Sequence, residues 1–184
     1  MGIDPDLLYL SGSATAATRM TLRLLTWNIN SLRLRLPLLE RLIAESAPDV
    51  VCLQETKVHD PQFPEEAVRA LGFPHIVYHG IKGYNGVAIL SRRRFAESAA
   101  LHHCGREDAR HVFARIENGP EIHSVYIPSG GDVPDREAND KFAHKLDFLT
   151  ELAEWWTHRQ DNGASRIMVG DFNVAPLESD VWSH

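Results

Sequence analysis

The sequence has few cysteines, no long apolar run and no cluster of histidines, and each absence excludes a class of protein. Only two cysteines occur among 184 residues, which is too few for a disulfide framework or a zinc ribbon and favours a reducing compartment. No apolar run approaches the length of a membrane span. The ten histidines are scattered and lack the spacing of metal ligands. We therefore expect a cytoplasmic protein that does not enter the membrane.

Positive charge is also in short supply. The chain has 19 Lys and Arg against 25 Asp and Glu, which gives a formal net charge of −6. Because affinity for phosphate comes from Lys and Arg, this charge argues against a general nucleic-acid binder. It does not exclude an enzyme that meets DNA through a local basic rim around a metal. The apolar content of 43% is enough for the core of one globular domain.

The first 19 residues differ in composition from the rest. We interpret residues 1–19 as a disordered tail or an extension from an upstream start codon, and residues 20–184 as part of one domain. Strands are predicted at Leu22–Trp27, Asp49–Leu53, His75–His79, Gly86–Ser91, Val112–Glu117, Glu121–Ile127 and Arg166–Gly170. Helices are predicted over a segment that has Pro37 near its first turn and is ended by Pro48, at roughly Glu65–Leu71 and at about Arg136–Arg159. Because Asn118-Gly119 marks a hairpin among these alternating elements, we expect a mixed sheet in a layered α/β domain.

Polar side chains follow four of these strands at the point where each strand ends. They are Asn28 and Asn30, then Gln54, Glu55 and Thr56, then Tyr126, and finally Asp171 and Asn173. Strand ends on one edge of a layered α/β fold converge, and the loops there hold the site. A site of carboxylates and amides suits Mg²⁺ or Mn²⁺ and fits Zn²⁺ poorly. Such a site is typical of phosphoryl transfer, in which a carboxylate accepts a proton from water and amides or a phenol donate to phosphate oxygens.

Five short motifs in order along the chain carry a resemblance to a known family. They are Trp27-Asn28-Ile29-Asn30, Gln54-Glu55-Thr56-Lys57, Gly83-Tyr84-Asn85-Gly86-Val87-Ala88, Val125-Tyr126-Ile127-Pro128 and Gly170-Asp171-Phe172-Asn173. The chain from about residue 20 resembles the exonuclease III / AP endonuclease family, within the endonuclease/exonuclease/phosphatase superfamily. The resemblance implies a four-layer α/β sandwich of two mixed sheets, and a monomer. It also implies Mg²⁺-dependent cleavage of double-stranded DNA beside abasic sites and from 3′ ends, in the cytoplasm and at the nucleoid.

The resemblance assigns a role to each candidate metal residue. Glu55 matches the family's metal-ligating Glu, and Asn28 and Asn30 match positions beside the metal. Asp171 matches the residue that activates or orients the attacking water, and with Asn173 it completes the expected metal set. An alternative for Asn28 is that its side chain merely satisfies the backbone of a turn, as Asn often does.

Four residues are implied in contacts with the phosphate or the DNA. They are Lys57, Asn85, Tyr126 and Asn173, of which Tyr126 and Asn173 match catalytic groups that hold the scissile phosphate. Tyr126 has an alternative role in core packing, because a buried Tyr usually finds some hydrogen-bond partner. Ser129 departs from the Asn or Gln that often follows the Tyr-x-Pro segment in the family, so a phosphate contact is not assigned to it.

Family members continue beyond the segment that ends at His184, and their later half supplies a second Asp near the metal and a Ser-Asp-His segment. We therefore expect residues 1–184 alone to be poorly soluble, because a cut sheet leaves unpaired edges, and to have no turnover. Two alternatives stay open. One alternative is that the chain is a non-catalytic fragment. The other is that it belongs to a phosphodiesterase that acts on a phosphoinositide, sphingomyelin or another non-DNA substrate.

Overall fold

The computed structural model of the protein describes residues 21–159 and 165–180, and the expected tail at residues 1–19 lies outside them. In chain order the elements are β1 (Leu24–Asn28), α1 (Leu32–Ser46), β2 (Val50–Gln54), α2 (Glu65–Ala70), β3 (His75–Ile81), β4 (Tyr84–Ser91), β5 (Phe95–His103), β6 (Arg106–Ile116), β7 (Glu121–Tyr126), α3 (Asp140–His158) and β8 (Arg166–Asp171). Short 3₁₀ turns occur at Asp60–Gln62 and Glu178–Asp180. Among these described helices, none is long and apolar enough to cross a membrane.

The strands form two four-stranded sheets of mixed direction. The first sheet has the order β1-β2-β4-β3, and the second has the order β5-β6-β7-β8. In each sheet one parallel pair stands at an end, β1 with β2 and β7 with β8, and the remaining pairs are antiparallel. The prediction of two mixed sheets is thereby confirmed.

Three apolar clusters show how the layers stack. Alternate residues of β2 point to opposite faces of the first sheet, and every residue of β2 is buried, as expected from its apolar sequence. Val51 and Leu53 pack with α1 and α2, whereas Cys52 packs with Val112 and Ile122 of the second sheet. A third cluster joins the second sheet to α3. The order of layers is therefore helix, sheet, sheet, helix, which confirms the four-layer sandwich.

The first helix starts earlier than is expected from the prediction that Pro37 lies near its first turn. The helix begins five residues before Pro37, at Leu32, and Pro37 lies inside it. The backbone N–H groups of Ser31 and Leu32 donate to the carbonyls of Glu55 and Thr56, at 2.7 and 3.0 Å. These partners lie more than twenty residues away in sequence, so the helix start is set by tertiary contacts that local residue preferences do not reveal.

The sequence also misses β5 and places the start of α3 too early. Strand β5 is largely exposed, and three of its nine residues are Ala, a weak strand former, so only its pairing with β6 defines it. Helix α3 starts at Asp140 rather than Arg136, because the Asn139 side chain accepts a hydrogen bond from the Lys141 N–H and caps the helix. Upstream, Asp135 Oδ1 accepts from two backbone N–H groups and forms a turn.

Candidate active site

The ends of β1, β2, β7 and β8 meet at one edge of the sandwich. In the parallel pairs Asn28 lies beside Gln54, and Tyr126 lies beside Asp171. The Asn28 Nδ2 group donates to Glu55 Oε1 at 2.9 Å and, across to the second sheet, to Asp171 Oδ2 at 2.8 Å. One amide nitrogen therefore holds two carboxylates that are more than 100 residues apart in sequence, and the predicted convergence of strand ends brings these three side chains together.

The loops that carry these residues turn sharply after the strands. Asn30, Glu55, Lys57 and Asn173 all have positive φ, between 44° and 52°. Asn tolerates this left-handed conformation, whereas for Glu and Lys it costs about 1 kcal/mol each. Hydrogen bonds from the backbone of the Glu55 loop to the start of β4 hold the turn. The site is therefore built on strained backbone that its neighbours keep in place.

The charge of Glu55 is stabilised by three donors. Burial by itself raises the pKa of a carboxyl, but hydrogen bonds from Asn28, Lys57 and Tyr126 and the charge of Lys57 outweigh it, so the pKa of Glu55 is lowered. The Lys57 Nζ group lies 2.9 Å from Glu55 Oε2. Glu55 is consequently an ionised acceptor at neutral pH.

The pKa of Tyr126 is raised, whereas that of Glu55 is lowered. Burial, the charge of Glu55 and the hydrogen bond to Glu55 raise the pKa of Tyr126 to about 12, and only the nearby Arg110 charge opposes them. The phenol therefore keeps its proton at neutral pH and acts as a donor, which is the form that a phosphate-contacting role requires. Its half-buried position combines the two alternatives considered from the sequence, packing and polar contact.

Asn30 and Asn173 lie beside the core of the site. The Asn30 backbone N–H donates to Asn28 Oδ1 at 3.2 Å, and its exposed side chain accepts from Lys57 Nζ at 2.5 Å. The Asn173 N–H donates to Asp171 Oδ1 at 3.0 Å, while its Nδ2 group donates to the Ile127 carbonyl at 2.8 Å. Both residues thus orient the predicted metal residues, and direct metal contact by either stays a prediction.

Asn85 is less accessible than expected of a residue that contacts DNA. Its side chain is only 6% exposed, and Nδ2 donates to the Asp108 carbonyl at 2.7 Å. Its own carbonyl accepts from the Lys57 N–H at 2.9 Å. Asn85 therefore ties two loops of the site together, and a contact with substrate stays a prediction.

A cleft of about 580 Å³ opens beside Glu55 and Tyr126 and contains residues that the sequence does not reveal. Its lining includes Arg106, Asp108, Arg110, Lys141 and His144 in addition to Glu55, Lys57, Asn85 and Tyr126. The guanidinium of Arg110 lies 4.9 Å from the centre of the Tyr126 ring. No motif marks Arg110, because it belongs to a strand whose registry with β7 becomes visible only in the fold.

The donor set fits a hard divalent cation. In the described part of the chain no group of three or more His, Cys, Asp or Glu is arranged to hold a metal, so a cation here would rely on the carboxylates of Glu55 and Asp171. Asn28 presents its Nδ2 group to both carboxylates while its Oδ1 accepts from the Asn30 N–H, and direct metal contact by Asn28 stays a prediction. Magnesium is commonly held by one or two carboxylates, with water and substrate phosphate at its other positions. An oxygen set of this kind matches Mg²⁺ or Mn²⁺ better than Zn²⁺.

Comparisons with known proteins agree with this geometry. The chain is 33% identical over 165 residues to the exodeoxyribonuclease III of Haemophilus influenzae, and the match covers 87% of this chain and 60% of that protein. The structure resembles an AP endonuclease from Archaeoglobus fulgidus, with a TM-score of 0.79, 33% identity, and coverage of 89% of this chain and 62% of the other. It also resembles a 3′ phosphatase, NExo from Neisseria, bound to a product DNA hairpin, with a TM-score of 0.78, 31% identity, and coverage of 86% and 60%.

The chain thus spans about 60% of the length of these relatives. Its residues 25–184 match the model of the Endonuclease/Exonuclease/phosphatase family. That match covers far more than half of the sequence, and it includes every strand end that carries a candidate site residue. The resemblance stated from the five motifs is confirmed: this chain belongs to the Endonuclease/Exonuclease/phosphatase family.

Proposed function

We propose that this chain carries the metal- and phosphate-binding residues of a Mg²⁺-dependent phosphodiesterase that cleaves DNA beside abasic sites and from 3′ ends. The observation that carries the proposal is the single Asn28 amide that binds both Glu55 and Asp171 from opposite sheets. The relatives named exodeoxyribonuclease III and AP endonuclease, and the one bound to a DNA hairpin, support DNA as the substrate. We also propose a cytoplasmic monomer that meets the nucleoid when it acts.

Each residue has a defined part in the proposed reaction. Glu55, with Asn28 and Asp171 beside it, would hold Mg²⁺, which when bound stabilises negative charge on the phosphate and makes water more acidic. Asp171, held by Asn28 and by the Asn173 N–H, would orient the attacking water and accept its proton as the new P–O bond forms. The P–O bond to the departing sugar oxygen breaks, and that oxygen takes up a proton from solvent. The neutral Tyr126 phenol, whose single proton bonds to Glu55 in this structure, would release that bond and donate to a phosphate oxygen as charge develops there.

A local basic rim lets a chain of net charge −6 meet DNA. Lys57, Arg106 and Lys141 border the cleft next to Glu55, and Lys145 lies nearby, where its Nζ donates to the Asn173 carbonyl at 2.6 Å. Cations beside the scissile phosphate attract the DNA backbone, although Asp108 and Asp140 line the same cleft and the chain as a whole has a negative net charge. Affinity for DNA should therefore fall steeply as salt is raised.

A single-turnover assay tests the proposal. The chain spans about 60% of its relatives' length, and we expect no turnover from residues 1–184 alone, so the protein is used in excess over a labelled duplex with one abasic site and a single cleavage event is measured. We expect a nick that EDTA abolishes and that Mg²⁺ or Mn²⁺ restores, and that Glu55→Gln and Asp171→Asn each remove. Glu154→Gln, at an exposed position of α3, is the control and should cleave like the native chain.

The same assay separates the alternatives. If the native chain cleaves the duplex no faster than Glu55→Gln does, with Mg²⁺ and with Mn²⁺, the catalytic proposal is contradicted and a non-catalytic fragment is favoured. Faster release of a headgroup from a phosphoinositide or sphingomyelin than nicking of DNA would retain the roles of Glu55 and Asp171 but replace the substrate. A matching panel with an intact duplex and a duplex with a recessed 3′ end compares the endonuclease and exonuclease activities.

A further inference from the structure

Tyr126 is held from behind by residues that no motif contains. Strand β6 runs antiparallel to β7, and the last pair in register is His111 with Val125, so the next pair along places Arg110 opposite Tyr126. The Arg110 Nη1 group donates to the Tyr126 carbonyl at 3.1 Å, and the guanidinium stacks on the Tyr126 ring at 4.9 Å. Arg110 thus contacts both the backbone and the ring of the residue whose phenol bonds to Glu55.

Arg110 is itself fixed by Asp108. The Arg110 Nε group donates to Asp108 Oδ2 at 2.6 Å, and the two side chains are only 12% and 21% exposed. Between them Ala109 is buried and has a φ of 54°, a strained conformation for a residue with a Cβ. Backbone strain of this kind persists only where the surroundings over-determine it and is concentrated near functional sites.

His144 on α3 is the last residue in this chain of contacts from Tyr126 through Arg110 and Asp108. Its Nε2 lies 3.1 Å from the same Asp108 Oδ2, and since a carboxylate oxygen accepts, Nε2 carries the proton. The His144 side chain is 8% exposed, and its other ring nitrogen has no partner among the described residues. The single polar contact of this buried imidazole is therefore the one that holds Asp108.

We propose that His144, Asp108 and Arg110 form a positioning relay that fixes the Tyr126 phenol at the scissile phosphate. The relay runs from α3 through β6 to β7 and ends at the phenol beside Glu55. It rests on the proposed function and assigns to it three residues that lie outside the five sequence motifs. None of the three touches the reacting atoms; they act through Tyr126.

A positioning role predicts an effect on the chemical step rather than on DNA affinity. A phenol released from its stack occupies several orientations, and misplacement of a catalytic group by about 1 Å lowers rates up to about 100-fold. By contrast, a cation that contacts the DNA backbone would mainly change affinity and its dependence on salt. Arg110 is already paired with Asp108 and the Tyr126 carbonyl, which favours positioning over a backbone contact.

The relay is tested under single-turnover conditions, with the rate at saturating protein and the half-saturating protein concentration measured separately. We expect Arg110→Gln to lower the rate about 10- to 100-fold with little change in half-saturation. Tyr126→Phe should do the same, and the double variant should lose no more than the worse single variant, because the two residues act as one unit.

The distal end of the relay has a matched pair of substitutions. His144→Gln keeps a donor near the Nε2 position, whereas His144→Leu removes it. We expect His144→Leu to lower the rate about 10-fold and His144→Gln to stay within about threefold of the native chain. His158→Leu, which removes an exposed imidazole from the same helix, is the control and should leave the rate unchanged. If His144→Leu does not fold, Asp108→Asn tests the same link.

A spectroscopic measurement judges the relay even without turnover. In protein with ¹³C-labelled tyrosine rings, the Tyr126 signal is assigned by its loss in Tyr126→Phe. We expect His144→Leu and Asp108→Asn to shift this signal, His144→Gln to restore it, and the Tyr78 signal to stay in place. Absence of cleavage by the native chain with these shifts present would contradict the proposed function and retain the relay. An unmoved Tyr126 signal, or a loss confined to half-saturation, would overturn the relay.

Discussion

Substitution of Asn28 by Asp turns the central donor of the site into an acceptor. In the native chain Asn28 Nδ2 binds Glu55 and Asp171 at 2.9 and 2.8 Å. Asn28→Asp removes both hydrogen bonds and places a third carboxylate between the first two. A divalent cation would reverse the effect, since an added carboxylate strengthens an oxygen site for Mg²⁺.

The two hydrogen bonds lost in Asn28→Asp give the size of the expected loss of stability. Each hydrogen bond to a carboxylate contributes about 1.5 kcal/mol at the lower end of the range for charged partners, so the two together contribute about 3 kcal/mol. Repulsion among three carboxylates adds to this loss, although partial exposure screens it. For a chain of this length 1 kcal/mol corresponds to about 2–4 °C in Tm, so Asn28→Asp should lower Tm in EDTA by roughly 6–12 °C.

Thermal unfolding with EDTA and with saturating Mg²⁺ or Mn²⁺ measures the effect. We expect the deficit of Asn28→Asp to shrink markedly with either cation. Asn28→Leu is the matched control: it removes the same two hydrogen bonds without adding charge, so its deficit should be similar in both solutions. Equal deficits for the two variants at every metal concentration would refute the placement of a cation beside Glu55 and Asp171.

Three further predictions concern the framework of the site. Gly170→Ala would place a Cβ 1.9 Å from the Val125 carbonyl oxygen at a φ of 146°, so we expect the free energy of unfolding in urea to fall by more than about 3 kcal/mol. Gly83→Ala is the control, since there is open space around Gly83, and it should lower the free energy of unfolding by only about 1 kcal/mol. Equal losses for the two variants would contradict the clash at Gly170. Burial lowers the pKa of His123 from 6.5 to about 4, so between pH 7 and pH 5 the unfolded chain binds more protons than the folded chain, and this histidine alone makes stability fall by about 2 kcal/mol as pH falls. His123→Gln should lose this share of the slope, whereas His111 and His103, whose pKa values burial also lowers, should keep theirs; an unchanged slope would assign it to those groups. Cys52→Ala should lower the urea midpoint without changing cleavage, since Cys52 is fully buried between the sheets and away from the strand ends; a loss of cleavage at full folding would contradict that assignment.

The centre of the site was predictable because it depends on strand direction and period. Asn28, Glu55 and Asp171 each follow an apolar run, and in parallel pairs such positions share an edge. Two packed sheets then bring the two edges together, which the Asn28–Asp171 contact shows. The pattern of apolar runs that end in polar residues is therefore enough to predict that these three side chains meet, without any knowledge of side-chain geometry.

The residues around the centre were not predictable, because they depend on register between distant strands. Arg110 meets Tyr126 only through the pairing of β6 with β7. In the same sheet His103, His111 and His123 are diagonal neighbours on β5, β6 and β7 rather than register partners, and they form a buried row with nitrogen–nitrogen distances of 2.8 and 2.9 Å. In the sequence these histidines are scattered, and their spacing gives no sign that they meet.

The strained turns explain why the site is tied so firmly to the sheets. Glu55 and Lys57 have positive φ, which an isolated loop would not keep. The Thr56 and Lys57 N–H groups donate to the carbonyls of Gly86 and Asn85, at 3.1 and 2.9 Å, and these hydrogen bonds anchor the strained loop to β4. Gly86 has a φ of 94°, and a Cβ there would lie 2.2 Å from Thr56 Oγ1. The Gly-Tyr-Asn-Gly motif therefore supports the backbone of the Glu55 loop, which gives a physical reason for the motif that does not require contact with DNA.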